Sequence, residues 1–233
     1  MRGIDFKKLL PLYICAAAVC ILLAVFGSDA VTTAVQNAPV PRQRTIIIDA
    51  GHGGVDGGAT SCTGVLESAI NLEIAMKLND LLQLLGYDTV MIRTTDTSVY
   101  TEGSTIAAQK VSDLKERVRI CNETQNAILL SIHQNTFSDS RYSGPQVFYA
   151  GTGESSHLAD CLQTALSKQF APGSKRSAKA AKTVYLLQNI RCDGVLIECG
   201  FLSNPEEEAK LRDGAYQQKL CIVIVTALGD FLH

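Results

Sequence analysis

Three apolar runs in this chain each end in a side chain that can bind a metal ion or carry a proton. Thr45-Ile46-Ile47-Ile48-Asp49 leads through Ala50 and Gly51 to His52. Ala127-Ile128-Leu129-Leu130-Ser131-Ile132 leads to His133, and Gly194-Val195-Leu196-Ile197 leads to Glu198. Short runs rich in β-branched residues read as buried strands of a parallel or mixed sheet. Sites in such sheets lie beyond the carboxyl ends of the strands. Separate strands therefore bring two imidazoles and a carboxylate to one sheet edge, which is how a hydrolytic metal site is assembled.

Neutral imidazole is a good zinc ligand, and three protein ligands plus water is the usual catalytic arrangement. His52 and His133 supply two. The third should be a carboxylate or imidazole at the same edge, and Glu67 is the best candidate because it opens the helix that follows the His52 loop. The competing reading is an exposed first-turn acid, since helix N-termini favour negative charge. Glycines 51, 53, 54, 57 and 58 around His52 let the backbone approach a ligand closely. They match neither a Walker loop nor a dinucleotide fingerprint. A charge on Glu198, at the end of a buried strand, needs a partner or a task. Beside a metal it could take a proton from water and pass it to a leaving amine; otherwise it is one half of a buried salt bridge. His157, in a helix start, and the terminal His233 are not favoured as ligands.

The elements that must position these residues follow from periodicity. A strand at 45–49, a helix at about 67–85 and a strand at 89–93 make a βαβ unit. Leu66, Ile70, Ile74, Leu78, Leu81, Leu82 and Leu85 recur at helical spacing, and Gly86 stops the helix. Residues 94–112 read as a long loop, followed by a helix with Leu114, Val118 and Cys121 on one face. Further strands are expected at 146–150, 183–187 and 194–198, with a helix around 158–166 and a strongly apolar one at 216–232. Residues 171–182 read as a loop carrying Lys175, Arg176, Lys179 and Lys182. The expected fold is α/β, a single domain with a central mixed, mostly parallel sheet flanked by helices.

An N-terminal transmembrane segment is expected before it. Leu9 to Phe26 is 18 residues without a charge, behind Arg2, Lys7 and Lys8. Such a run is at the short end for crossing the hydrocarbon core, and its basic flank stays in the cytoplasm. The expected organisation is a cytoplasmic tail at 1–8, an anchor or signal segment at 9–26, a linker at 27–43 and a catalytic domain at 44–233. The domain would lie outside the cytoplasm, membrane-anchored, or secreted if the segment is cleaved.

The net charge of −2 offers no basic face for nucleic acid. The absence of tryptophan excludes a carbohydrate site built on that ring. The eight cysteines contain no Cys-x-x-Cys and no recognisable disulfide framework. Cys121, Cys161, Cys199 and Cys221 read as small core residues, whereas Cys62 and Cys192 lie in loop-like sequence.

Four segments carry a family resemblance. Ile48-Asp49-Ala50-Gly51-His52-Gly53-Gly54-Val55-Asp56-Gly57-Gly58-Ala59 resembles the opening motif of the zinc-dependent N-acetylmuramoyl-L-alanine amidases of the Amidase_3 type. Glu67 with Asn71-Leu72, Ser131 to Asn135, and Val195 to Asn204 resemble the second, third and fourth. The resemblance covers residues 44–233. It implies Zn2+ held by His52, Glu67 and His133, with Glu198 as the catalytic carboxylate. It implies hydrolysis of the amide between the lactyl group of N-acetylmuramic acid and L-alanine in peptidoglycan. Asp49, Asn122 and Asn135 would support ligands or substrate.

The bare catalytic domain, Gln109 to Leu114 and Glu198-Cys199-Gly200 resemble the germination-specific, spore-cortex amidases. These act during sporulation, in the space between forespore and mother cell. They supply muramic acid that a deacetylase helps convert to muramic-δ-lactam, and some clostridial members work with a lipoprotein partner. Gln188 and Arg191-Cys192-Asp193-Gly194 depart from the family pattern, which puts strand entry and local substrate contacts in doubt but not the zinc site. The competing functions are a vegetative cell-wall amidase, a zinc peptidase, and a wall-binding protein with a vestigial site.

Overall fold

The computed structural model describes residues 44–233; the expected tail, anchor and linker lie outside the described residues. Six strands form one sheet: β1 (Thr45–Ala50), β2 (Thr89–Met91), β3 (Ala127–Asn135), β4 (Gln146–Tyr149), β5 (Lys179–Ala180) and β6 (Asp193–Phe201). Their order is β2-β1-β3-β6-β4-β5. The pairs β1–β2, β1–β3, β3–β6 and β4–β5 are parallel, and β4–β6 is antiparallel. The sheet is therefore mixed and mostly parallel, as expected.

Helices cover both faces: α1 (Glu67–Leu84), α2 (Ile106–Glu123), α3 (Ser155–Phe170), α4 (Tyr185–Asn189), α5 (Pro205–Leu211) and α6 (Gly214–Leu232). The period-two alternation of a strand sorts the side chains. Ile46, Ile48, Ile128, Leu130, Ile132, Val195 and Ile197 join the core beneath α1, α3 and α6. Ile47, Leu129 and Leu196 join a smaller core with Cys121 of α2 and Leu186 and Leu187 of α4. Asp49, Ser131, His133 and Glu198 fall in register on this second face. The larger core fixes the sheet, and the face with the thinner apolar cover carries the polar groups.

α1 ends where the glycine signal placed it. Gly86 has φ +85°, and its amide and that of Tyr87 return to Gln83 O and Leu82 O at 3.0 Å each. Left-handed geometry of this kind is cheap only for glycine.

Several expected elements differ. β2 ends at Met91, two residues early, because the Arg93 side chain turns inward to main-chain carbonyls of the site. The expected loop at 94–112 is helical from Ile106, where the Thr105 hydroxyl caps Ala108 N at 3.2 Å. The buried face of α2 is Ser112, Asp113, Arg117 and Cys121, while Leu114 is exposed. A buried ion-pair network replaces the apolar stripe, and so hid the helix start from a hydrophobic period. The expected strand at 183–187 is the short helix α4, whose Leu186 and Leu187 close the smaller core. Lys179–Ala180, within the expected loop, adds an edge strand. Among the described residues, no helix is long and apolar enough to cross a membrane.

Candidate metal centre

His52 leaves the carboxyl end of β1 with φ +63°. The turn is held by donors from three elements. Arg117 Nη2 reaches His52 O at 2.8 Å, Arg93 Nη2 reaches Gly51 O at 3.1 Å, and Asn71 Nδ2 reaches the same oxygen at 3.1 Å. No side chain fits at Gly51 or Gly58. A Cβ on Gly51 would lie 2.2 Å from His133 Nε2, and one on Gly58 would lie 2.6 Å from Glu67 Oε2. The glycines therefore make room for the imidazoles and the carboxylate.

Glu67 enters from the start of α1, docked on the glycine loop through Glu67 N to Ala59 O at 2.8 Å and Ser68 N to Gly57 O at 3.1 Å. Its carboxylate is buried between the two imidazoles. Oε1 is 3.0 Å from His133 Nδ1, and Oε2 is 3.3 Å from His52 Nε2. Gln134 N and Asn71 Nδ2 donate to Oε1 at 3.1 and 3.3 Å, and Ala59 N donates to Oε2 at 2.9 Å. A ligand atom from each of His52, Glu67 and His133 lies within 4.8 Å of the others. Two imidazole nitrogens and a carboxylate oxygen converging on one point suit a divalent transition metal.

Electrostatics fit the same occupant. Burial disfavours a charged His52, yet Glu67 and Asp56 outweigh it and raise its pKa to about 9. Burial likewise opposes ionisation of Glu67, but the two imidazoles hold it far below the usual carboxylate range. The pocket thus favours positive charge, which a cation would supply with both imidazoles neutral. His52 Nδ1 lies 2.8 Å from Asp56 Oδ2, and Lys110 Nζ lies 2.7 Å from Asp56 Oδ1. A carboxylate on the far nitrogen fixes the ring and leaves Nε2 facing Glu67.

Asp49 lines the same cleft as His52 and His133. It pairs with Arg117 and accepts from Ser131 Oγ at 2.6 Å. Arg117 Nε also pairs with Asp113 Oδ2 at 2.6 Å. This buried network joins β1, β3 and α2 beneath the His52 turn. Asn122 lies at the opposite end of the sheet, bonded to Asn189 O at 3.0 Å and to Arg191 N at 2.7 Å, so it is not a support of the site. Asn135 O receives Leu202 N at 2.8 Å and ties β3 to the chain after β6.

Glu198 stands beside the cluster: it is the register partner of His133 across β3–β6. Its Oε2 is closed off from solvent and has no hydrogen-bond partner among the described residues. Burial, reinforced by the Glu67 charge against the opposing imidazoles, pushes its pKa up to about 7. Among the described residues no salt bridge engages Glu198. A cleft of about 230 Å³ opens at this edge, lined by His52, Asp56, Arg117, His133, Tyr185 and Leu196 among others. Of the basic loop, Arg176 is committed to structure: Nη1 reaches Ser143 O and Gly144 O at 2.6 Å each, and the guanidinium lies over Phe201.

Asp56, Arg93, Lys110 and Arg117 were not singled out as site residues by sequence reasoning. Asp56 had a signal, an acid four residues after His52 within the glycine run. The two arginines and Lys110 act across large sequence separations and had none.

A sheet edge presenting a His-Glu-His cluster that could hold a metal ion, with a buried acid beside it, is the arrangement of a hydrolase site. The N-acetylmuramoyl-L-alanine amidase model of the Amidase_3 family matches residues 46–230, and the chain belongs to that family. It is therefore a peptidoglycan hydrolase of the bond between N-acetylmuramic acid and L-alanine. It is 37% identical over 179 residues to the germination-specific N-acetylmuramoyl-L-alanine amidase of Bacillus subtilis, covering 76% of this chain and 75% of that one. It superposes on the CwlD amidase of Clostridioides difficile, solved in complex with the GerS lipoprotein, with TM-score 0.77 and 36% identity over 81% of this chain and 98% of that one. A second amidase, from Clostridium difficile 630, matches with TM-score 0.70 and 29% identity, covering 82% and 97%.

Proposed function

We propose that His52, Glu67 and His133 bind one Zn2+ and that Glu198 is the catalytic carboxylate. The observation that carries this is Glu198 Oε2, buried and unpaired beside the three-residue cluster. Such a group costs stability, and a role in a reaction explains its presence. Zinc in that position would supply Lewis acidity toward a carbonyl and make water a stronger acid.

The chain's own residues do the rest. Asp56 and Glu67 keep His52 oriented, and Gln134 N and Asn71 keep Glu67 oriented. Glu198 accepts a proton from the attacking water on a carboxylate oxygen. It then delivers that proton to the departing nitrogen of L-alanine, which leaves as a free amine. A pKa near 7 suits a group that must both take and return a proton near neutral pH. The cleft between the His52 turn and Tyr185 receives the stem peptide next to the scissile amide.

The biological reading is cortex modification in spores. It is supported by the likeness to a germination-specific amidase and to an amidase solved with a lipoprotein. On this reading residues 44–233 are the catalytic domain, working outside the cytoplasm behind a tail at 1–8, an anchor at 9–26 and a tether at 27–43. A lipoprotein serves as activator, and a muramic acid deacetylase acts on the product.

The test is incubation of the full-length chain, stripped of metal and resupplied with zinc, with cortex glycan strands, followed by mass spectrometry. The expected result is zinc-dependent release of stem peptides with a free L-alanine amino group, lost in Glu198→Gln. Zinc binding without release, even with the lipoprotein added, would overturn the catalytic assignment. Sporulating cells lacking the gene should lack muramic-δ-lactam; normal levels would point to a vegetative wall role.

A further inference from the structure

We propose that Cys121 and Cys192 form a disulfide that joins the end of α2 to the start of β6. The two residues are far apart in sequence, but the fold packs them into one apolar cluster and sets both on the wall of one cavity. Both belong to the smaller core, Cys121 buried and Cys192 half-buried. Both also line an open cavity of about 330 Å³, together with Arg44, Asn122, Arg191 and Asp193. The backbones around them are already held together, because Asn122 bonds both Asn189 O and Arg191 N. Cross-linking therefore closes a contact that exists rather than drawing two segments together.

The pair is chemically asymmetric. The neighbouring Cys121 thiol lowers the Cys192 thiol against the effect of burial, while Cys192 together with burial raises Cys121. Cys192 is thus the attacking thiolate, reachable through the cavity. It attacks one sulfur of a donor disulfide, R–S–S–R, forming a mixed disulfide and expelling one RSH after protonation. Cys121 then loses its proton and attacks the Cys192 sulfur, expelling the second RSH. The protein dithiol is oxidised, and the donor is reduced to two thiols.

The cross-link would matter to the site. Arg117, one helical turn before Cys121, holds the carbonyl of His52, and β6 leads from Cys192 to Glu198. The inference rests on the reading that the domain lies outside the cytoplasm, where disulfides persist. Its readout does not depend on amidase activity, so the two can fail separately.

The test equilibrates the full-length chain with oxidised glutathione, alkylates it, and maps peptides without reduction. The expected result is a linked pair of peptides containing Cys121 and Cys192, with Cys62 and Cys161 alkylated. Dithiothreitol should remove the link and lower Tm by roughly 10 °C. Cys192→Ser should abolish both the link and the Tm response. Alkylation of both Cys121 and Cys192 after oxidation, or glutathione held on Cys192 without transfer to Cys121, would overturn the proposal.

Discussion

His133 and Glu198 are register partners on neighbouring parallel strands, so a potential metal ligand and an unpaired acid face the same side of one sheet. Neither strand alone contains a site. The pairing of β3 with β6 makes one, and its geometry leads to the following expectations.

Glu198→Gln should retain zinc and fold, yet lose activity. General acid–base catalysis contributes about 10²–10⁴-fold, and the loss should fall on kcat with little change in KM. Steady-state kinetics on a muropeptide, with metal content measured on the same sample, check this. A variant keeping more than a tenth of the parental kcat would remove Glu198 from the chemistry.

Asp56→Ala should weaken zinc binding without abolishing it. Asp56 touches His52 at Nδ1 and is not itself one of the three candidate ligands. Loss of such a supporting carboxylate typically costs about 10–100-fold in metal affinity. Competition with a zinc-responsive chelating dye measures it, and Glu67→Ala, which removes a ligand, should bind more weakly still.

The metal-free protein should show a pH signature of Glu198. Its pKa is about 7 in the folded chain against 4.5 for an ordinary glutamate. Between those values the folded chain keeps a proton that the unfolded chain has released. Stability therefore falls as pH rises through that interval. Glu198→Gln removes this loss. Urea melts from pH 4 to 8 should show the variant gaining on the parent, by about 3 kcal/mol at most once the interval is crossed. A difference that does not change with pH would show that Glu198 is not buried as an acid.

Arg117→Met should destabilise strongly. The guanidinium is buried against Asp49, Asp113 and two main-chain carbonyls. Its removal leaves buried carboxylates uncompensated, at a cost of about 3–5 kcal/mol. Adding Asp49→Asn should recover part of that loss, because the orphaned charge disappears. Chemical denaturation of both variants decides it, and additive losses would show that the pair is not coupled.

Gly51→Ala should lose zinc binding, since its Cβ would occupy space held by the His133 ring. Metal analysis of the purified variant checks this. A parental zinc content would show that the ring can yield.

The sequence by itself determined the layered α/β architecture, because β-branched runs bounded by glycine and followed by a helical period admit few other folds. It also determined the candidate ligands and acid, since each lies at the end of an apolar strand or at the start of the helix that follows one. It could not determine the start of α2, whose inward face is built from Ser112, Asp113 and Arg117 rather than from apolar residues. It could not separate helix from strand at Leu186 and Leu187, because a short apolar segment carries no decisive period. Tertiary structure alone decided which charges meet. Arg117 under His52, Lys110 on Asp56 and Cys121 against Cys192 join residues far apart in the chain, and only the register of the sheet and the docking of α2 set those distances.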